Sequence, residues 1–143
     1  MSRRNGRVLA FQAAFAWEIS KTPLEELLQF SWVEAEKLER VGEAGLAFAR
    51  LLLCGTLEHL PEIDAAIEAN LARGDYSRVN RVDVAILRIS VYALLYQKDI
   101  HPFITIDEAV CIAQDFSTDD SYKFVNAVLD NIRKSLPDGE TKL

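Results

Sequence analysis

The sequence predicts an all-α protein of about seven helices, arranged in two packed sub-bundles. Apolar residues recur every three or four positions along most of the chain, which is the spacing of one helix face. Only 6 glycines and 4 prolines occur, and alternating runs joined by hairpin turns are missing, so a β fold is disfavoured. With 143 residues the chain has the length of one domain. We expect a single domain over 1–143, with sub-bundles at about 1–73 and 74–143.

The first predicted helix covers about residues 7–20, because Phe11, Phe15 and their apolar neighbours fall on one face. Thr22 then marks a short second helix, since a capping side chain is followed by proline at the first helical position. A Ser-x-x-Glu pattern at residues 31–34 repeats the start signal of a helix. The first quarter of the chain is therefore helical with two interruptions.

The middle of the chain predicts two more helices, at residues 46–60 and from Pro61 onward. Gly42 and Gly45 weaken the helical pattern ahead of the first of them, since glycine disfavours a helix interior. Pro61 suits the first turn of the second helix. The pattern breaks at residues 72–75, Ala-Arg-Gly-Asp, which we interpret as the boundary between the sub-bundles.

The second half of the chain predicts three helices. Residues 80–97 are apolar on most sides, which is typical of a helix at the centre of a bundle. The Thr-x-x-Glu pattern at residues 105–108 is a capping box and predicts the start of the next helix. The last helix covers about Asp120 to Leu136, and we expect a frayed tail after it.

The charge of the chain is unevenly distributed. The formal net charge is −6, which argues against a protein that coats nucleic acid, because phosphate contacts need lysine and arginine. By segment, residues 1–17 carry +3, residues 18–72 carry −7, residues 73–98 carry +3 and residues 99–143 carry −5. A basic arm on an acidic body favours local, oriented contact with an anion.

The basic arm is the first candidate site for such an anion. It holds Arg3, Arg4 and Arg7, and we expect Arg7 to begin the first helix, where a cation is unfavourable beside the positive end of the dipole. A bound phosphate would remove this conflict. Gln12 and Phe15 lie further along the helix and extend the candidate surface. Two alternatives remain open: a solvated, disordered arm, and a core position for Phe15.

The start of the last helix is the second candidate site. Helix N-termini donate amide hydrogens to phosphates, and Ser121 stands at this start. Lys123 adds a positive charge, and Tyr122 or Phe124 offers a ring for stacking on a base. The alternative is that both aromatic residues belong to the core and that Lys123 is only solvated.

The residues favour neither an enzyme nor a metal or cofactor site. His59 and His101 stand alone, and no glycine-rich phosphate loop or nucleophile elbow occurs. Cys54 and Cys111 lie in separate apolar stretches without a Cys-x-x-Cys pair. Acidic pairs fall at predicted helix starts, where the helix dipole accounts for them. We therefore expect no enzymatic activity, no cofactor and no metal.

The N-terminal segment is not predicted to be a signal peptide. It has a basic start and an apolar run, but the run is helically patterned, contains Gln12 and lacks a small-residue cleavage site. No apolar run reaches the ~18 residues that a membrane-spanning helix needs, and the cysteines suit a reducing compartment. We therefore expect a cytoplasmic protein without membrane contact.

Four segments together resemble one family. RRNGRVLAFQAAFAWE, LLCGTLEHLPEID and RVDVAILRISVYALLY are each similar to parts of the NusB family of bacterial transcription antitermination factors. The most specific segment is ITIDEAVCIAQDFSTDDSYKFVNAVLDNI, which resembles the family's Ile-Asn-Glu-Ala-Val stretch followed by Ser-x-Lys-Phe-Val-Asn. The resemblance runs in order from Arg3 to about Lys134, and so covers nearly the whole chain.

The resemblance implies a NusB-like all-α fold and a role in transcription. Members of the family pair with NusE, a small-subunit ribosomal protein, and the pair binds the single-stranded boxA element of nascent transcripts, notably from ribosomal RNA operons. With other Nus factors they make RNA polymerase resistant to termination. Carried onto this chain, with Gln12 added from its position, the RNA-binding residues are Arg3, Arg4, Arg7, Gln12, Phe15, Ser121, Lys123 and Phe124. The resemblance places the partner surface on the central helix, at Asp83 and Arg88, and on the loop that follows this helix.

The chain departs from the family pattern at several positions. Asn5 and Gly6 interrupt the arginine cluster, and Phe15 stands where tyrosine is common. Three further positions differ from the usual family residue: Ala93 replaces a glutamate, Gln114 replaces a lysine and Ala127 replaces a glycine. Fewer cations predict weaker RNA binding by the chain alone and greater dependence on the partner.

Three alternatives follow from the same residues. A protein-interaction module of ribosome biogenesis without direct RNA binding is the alternative function. A NusB-like domain also occurs fused ahead of ribosomal RNA methyltransferases, but the sequence ends at 143 without a cofactor-binding unit, so we expect a stand-alone factor. Exposed apolar residues on the first helix leave both a monomer and a homodimer open.

Overall fold

A computed structural model describes residues 2–72 and 76–137 of the chain. In these residues it contains seven α-helices, one short 3-10 helix and no strand. The α-helices are α1 Ser2–Ser20, α2 Leu24–Leu27, α3 Ala35–Glu58, α4 Leu60–Ala69, α5 Arg81–Tyr96, α6 Pro102–Phe116 and α7 Ser121–Ser135, and the 3-10 helix is Tyr76–Arg78. The all-α prediction is confirmed. The predicted boundary near Gly74 and the predicted frayed tail beyond residue 137 lie outside the described residues.

Helix α5 is the centre of the molecule, as its sequence predicts. It packs against five other helices, which are α1, α3, α4, α6 and α7. Every residue from Asp83 to Leu94 is buried, so no face of the helix is left for solvent over that stretch. Each fully buried side chain such as Ile86 or Leu87 contributes roughly 1.5–3 kcal/mol relative to an exposed one. The buried apolar residues of both halves of the chain therefore belong to one hydrophobic cluster, and the division into two sub-bundles stays a prediction.

Helices α1 and α3 approach each other closely at two glycines. A Cβ atom on Gly6 would lie 2.6 Å from the carbonyl oxygen of Gly45 and 3.3 Å from the ring of Phe48. A larger side chain at Gly6 would therefore push the two backbones apart. Gly6, which interrupts the arginine cluster in the sequence, is explained by this helix crossing. Gly42 has φ 75° and interrupts α3, in agreement with the weakened pattern.

Helices α1 and α6 begin earlier than predicted. Helix α1 begins at Ser2, so Arg7 lies in its second turn and not beside its N-terminal amides. Helix α6 begins at Pro102, and the Nδ1 atom of His101 accepts the amide hydrogen of Phe103 at 3.2 Å. Proline at the first helical position and this side-chain cap outweigh the capping-box pattern at residues 105–108, whose Thr105 is buried inside the helix.

Hydrogen bonds from the side chains of Trp32 and Arg50, and not the predicted caps, stabilise the turn between α2 and α3. The caps predicted at Thr22 and at Ser31 are wrong, because Pro23 and Glu34 directly precede α2 and α3 and neither helix has a side-chain cap. Instead, the indole nitrogen of Trp32 donates to the carbonyl of Leu27 at 3.1 Å, and Arg50 of α3 donates to the carbonyl of Leu28 at 3.1 Å. These bonds satisfy carbonyl groups at the end of α2 that have no partner within the helix.

Candidate nucleic-acid interface

Arg4 forms a two-pronged ion pair with α6. Its Nε atom donates to Oε1 of Glu108 at 3.0 Å and its Nη2 atom donates to Oε2 at 2.9 Å. The Arg4 side chain is 53% exposed, whereas that of Glu108 is 16% exposed. The hydrogen bond with Glu108 raises the pKa of Arg4, and the same bond lowers the pKa of Glu108. The first turn of α1 is thus fixed against α6.

Arg3 and Arg7 both lie on the ring of Phe48 from α3. Their guanidinium carbons are 5.0 and 5.1 Å from the ring centroid, which is the geometry of a cation–π contact. Arg7 is only 8% exposed, and burial lowers its pKa. Within residues 2–72 and 76–137, no group accepts a hydrogen bond from its guanidinium. Arg3, Arg4, Arg7, Phe48 and Glu108 together are called the arginine face below.

Phe15 and Gln12 lie three residues apart on α1 and are neighbours on its surface. Phe15 packs partly buried against the core, one turn beyond Phe11, whose ring is 5.4 Å from that of Phe116 at the end of α6. Gln12 lines a groove of about 440 Å³ beside the start of α3, together with Leu9, Trp32, Val33, Glu34 and Lys37. The structure therefore packs Phe15 against the core and places Gln12 beside the start of α3.

Helix α1 and the second half of α6 run in the same direction. Arg4 contacts Glu108, and Phe11 contacts Phe116. The residue numbers of both helices increase from the first contact to the second, so the two helices are parallel over this stretch. Seven residues of helix separate Arg4 from Phe11, which is about 10 Å. Helix α7 begins five residues after Phe116, at Ser121. The second candidate site therefore follows the end of α6 that lies beside Phe11, and not the part of α6 that holds Glu108.

Ser121 points into the fold. Its hydroxyl donates to Oδ2 of Asp83 at 2.9 Å, and the hydroxyl of Ser117 donates to Oδ1 of Asp83 at 2.7 Å. Thr118 adds a hydroxyl 2.7 Å from that of Ser121. Ser121 is 5% exposed and Asp83 is 4% exposed. This cluster joins the start of α7 to the start of α5, and it accounts for the burial of the Asp83 carboxylate.

Lys123 and Phe124 are the accessible part of the α7 site. The Lys123 ammonium group is 3.7 Å from Asp120, with side chains 68% and 86% exposed, and it lies 5.9 Å from the ring centroid of Tyr122. Phe124 forms one wall of a groove of about 310 Å³, which it shares with Leu71, Ala72, Arg78, Val79, Asn80 and Asp83. The amides of Ser121 and Lys123 already donate to the carbonyls of Thr118 and Asp120, so they are not available to a phosphate.

Arg88 is enclosed by acceptors from two other helices. It donates to both oxygens of Asp64 in α4, at 3.0 and 3.1 Å, and to Glu18 in α1 at 2.8 Å. Tyr76 donates to the same Asp64 at 2.9 Å. Burial opposes the charge of Arg88, but the hydrogen bonds with Asp64 and Glu18 outweigh it and raise the pKa of Arg88. The hydrogen bond from Arg88 also lowers the pKa of Glu18.

Asp83 and Arg88, the residues expected to contact a partner protein, therefore both lie inside the fold. The contacts of their side chains within the chain explain why each is buried. Direct contact of either side chain with a partner stays a prediction, as does RNA contact at each of the eight residues named for it.

Three residues of these sites were not identified from the sequence. Phe48 was assigned only to an apolar helix, Glu108 only to a capping box, and Ser117 not at all. Glu108 is separated from Arg4 by 104 residues, and no local pattern connects two positions so far apart. The only signal for Glu108 in the sequence is its place as the acidic residue of the predicted capping box, which lies inside α6.

Other kinds of site find no support in the described part of the chain. No group of three or more histidine, cysteine, aspartate or glutamate side chains there is arranged to hold a metal ion. Cys54 and Cys111 are both free thiols, and burial raises the pKa of Cys54. Among residues 2–72 and 76–137 no helix has the length and apolar character needed to cross a membrane.

Comparisons with known proteins point to one family. Residues 4–134 match the family model described as the NusB family. The transcription antitermination protein NusB of Treponema pallidum is 53% identical over 135 residues, which is 94% of each chain. NusB of T. maritima superposes with a TM-score of 0.81 at 37% identity, covering 93% of this chain and 91% of that one. A crystal structure of antitermination factors NusB and NusE with double-stranded RNA gives 0.80 at 25% identity, covering 94% and 98%.

Proposed function

The chain belongs to the NusB family, and we propose that it is a transcription antitermination factor that binds boxA-type RNA together with NusE. Relatives over almost the whole chain carry the name transcription antitermination protein NusB. One structural relative is a complex of NusB and NusE with RNA. The family membership supports the role, and the arginine face supports the RNA contact.

The arginine face is the observation that carries the proposal. It gathers three cations at one end of an acidic chain and holds them on Phe48 and Glu108 before any ligand arrives. Arg7 in addition is a buried cation without a hydrogen-bond acceptor among the described residues. A phosphate oxygen would supply that acceptor, and charge-assisted hydrogen bonds of this kind are about twice as strong as neutral ones.

The α7 site extends the RNA path by a second set of contacts. Lys123 offers one further phosphate contact, and the ring of Phe124 offers a surface for base stacking. We assign Gln12 and Phe15 to the same path, because both follow the three arginines along α1. We assign Ser121 a supporting role through its bond with Asp83.

The proposed partner surface is the outside of the α4–α5 region. Asp83 and Arg88 shape it from within, because Asp83 holds the start of α7 and Arg88 holds α1 and α4 against α5. The apolar groove between Phe124 and Val79 opens on this region. NusE and the other Nus factors are the proposed partners in the antitermination complex of RNA polymerase, and we place the protein in the cytosol, without a cofactor and without catalytic activity.

One observation favours the alternative of a protein-interaction module without RNA contact. Glu108 already occupies the fork of Arg4, and Arg7 is buried, so Arg3 is the one exposed cation of the three that no carboxylate holds among the described residues. In that case the arginines would serve to attach α1 to α3 and α6, and the exposed surface would bind proteins alone.

Fluorescence anisotropy of a labelled boxA RNA separates the two functions. The protein is titrated with and without NusE, against a scrambled RNA of the same length. We expect weak binding by the protein alone, and tighter binding with a boxA preference once NusE is present. Equal affinity for both RNAs under both conditions would remove the proposed function and leave the interaction module.

A further inference from the structure

Glu108 is a carboxylate set into the middle of the arginine face. Its side chain is 16% exposed, and both of its oxygens accept hydrogen bonds from Arg4. The hydrogen bond with Arg4 is the main reason that the pKa of Glu108 is lowered, and the charges of Arg4 and Arg7 add to it. Glu108 is therefore ionised at neutral pH, among the cations that we assign to phosphate binding.

The ion pair leaves part of Arg4 available. A guanidinium group has five N–H donors, and Glu108 takes one from Nε and one from Nη2. The Nη1 edge is not used by Glu108, and the side chain is 53% exposed. Arg4 can therefore keep its bonds with Glu108 while its other edge donates to a phosphate oxygen. Glu108 fixes the direction in which that edge points.

The same pair removes the long-range attraction of Arg4. A cation and an anion at hydrogen-bond distance cancel each other for a phosphate that is further away, while a group in direct contact still forms its hydrogen bonds. Sequence-independent RNA binding depends on the net charge that neutralises phosphates. Binding of RNA in the correct position depends in addition on the geometry of each contact. Glu108 therefore weakens the first kind of binding more than the second.

We propose that Glu108 is a specificity-determining residue, which holds the fork of Arg4 in place and suppresses binding of RNA that does not fit. The inference rests on the proposed function, because it concerns the preference for boxA RNA over other RNA. It assigns to α6 a role in RNA selection that its acidic side chain, taken from the sequence alone, does not suggest.

The test compares Glu108→Gln with Asp107→Asn. Asp107 is exposed on the same helix and, among the described residues, has no hydrogen bond or ion pair, so its variant makes the same change of charge without touching Arg4. Affinities for boxA RNA and for scrambled RNA are measured with NusE at several salt concentrations. In Glu108→Gln we expect several-fold tighter binding of scrambled RNA, a log–log salt slope steeper by about 0.7 and a smaller boxA preference. In Asp107→Asn the preference stays unchanged.

A second variant keeps the charge and removes the fork. Arg4→Lys leaves the net charge as it is, but lysine cannot form the two-pronged bond, so we expect the boxA preference to fall here too. An unchanged preference in both Glu108→Gln and Arg4→Lys overturns the inference, as does an equal fall in Glu108→Gln and Asp107→Asn. A wild-type protein that does not distinguish the two RNAs removes the proposed function itself, and the inference with it.

Discussion

Arg7 and Arg88 are buried to the same extent but have opposite surroundings. They are 8% and 7% exposed. Arg88 donates to the carboxylates of Asp64 and Glu18, whereas Arg7 lies on the ring of Phe48 and has no hydrogen-bond acceptor in the described part of the chain. Arg88 is satisfied within the protein and joins three helices. The N–H groups of Arg7 donate to no acceptor in that part of the chain. The difference in hydrogen bonding separates an arginine that stabilises the fold from one suited to an external anion.

The largest effect is expected at Arg88. In Arg88→Met the volume is kept, but Asp64 and Glu18 lose their common partner. We expect the free energy of unfolding to fall by about 3 kcal/mol, at the low end for removing one member of a buried pair, because these carboxylates are still 24% and 27% exposed. Urea denaturation of the wild type and of Arg88→Met measures this change in the free energy of unfolding.

The control for Arg88→Met is Arg40→Met, which removes an exposed arginine from α3. We expect its unfolding free energy to stay within about 0.5 kcal/mol of the wild type. A similar loss in both variants would show that the acceptors of Arg88 do not stabilise the fold, and the comparison with Arg7 would lose its basis.

At Arg7 the expected effect is on RNA binding and not on stability. Arg7→Met removes a buried charge that has no hydrogen-bond acceptor among the described residues, so the unfolding free energy should not fall, and a hydrophobic replacement at such a position can even be stabilising. Affinity for boxA RNA in the presence of NusE should drop about tenfold, and the salt slope should become shallower by about 0.7. A variant with a lower free energy of unfolding but wild-type RNA affinity would show that Arg7 stabilises the fold and does not bind the anion.

The sequence predicts the helices much better than it predicts these two arginines. The period of the apolar residues is a local property, so the seven helices and the central position of α5 follow from it. The start of α6 was misplaced because two valid capping residues, His101 and Thr105, lie four residues apart, and His101 followed by Pro102 prevails. The surroundings of Arg7 and Arg88 depend on residues far away in the sequence, such as Phe48 and Asp64, which only the packing of the helices brings together.

Acid should affect the two arginines differently. The pKa of Glu18 is lowered by its hydrogen bond with Arg88, so its contribution to stability is present above the unfolded-state pKa of 4.5 and is lost as the pH falls through the lower, folded-state value. The stability difference between wild type and Arg88→Met should therefore shrink from pH 7 towards pH 3.

Arg7 has no such carboxylate bond, so Arg7→Met should follow the wild-type pH profile closely. Urea denaturation at four or five pH values compares the three proteins. A stability difference between wild type and Arg88→Met that stays constant down to pH 3 would show that ionised Glu18 is not a source of the stabilisation.

The smallest effect is expected at Lys123, which resembles neither arginine. Its side chain is 68% exposed and its ion pair with Asp120 is long, at 3.7 Å, so Lys123→Ala should leave the unfolding free energy within about 0.5 kcal/mol of the wild type. As a mobile point charge it lacks the fork of an arginine, and it should weaken boxA and scrambled RNA alike, by roughly two- to threefold at moderate salt. Ser121→Ala is the matched comparison, since it removes one hydrogen bond from buried Asp83 and should cost about 1 kcal/mol of stability. A loss of boxA preference in Lys123→Ala would mean that this lysine reads the RNA and does not only attract it.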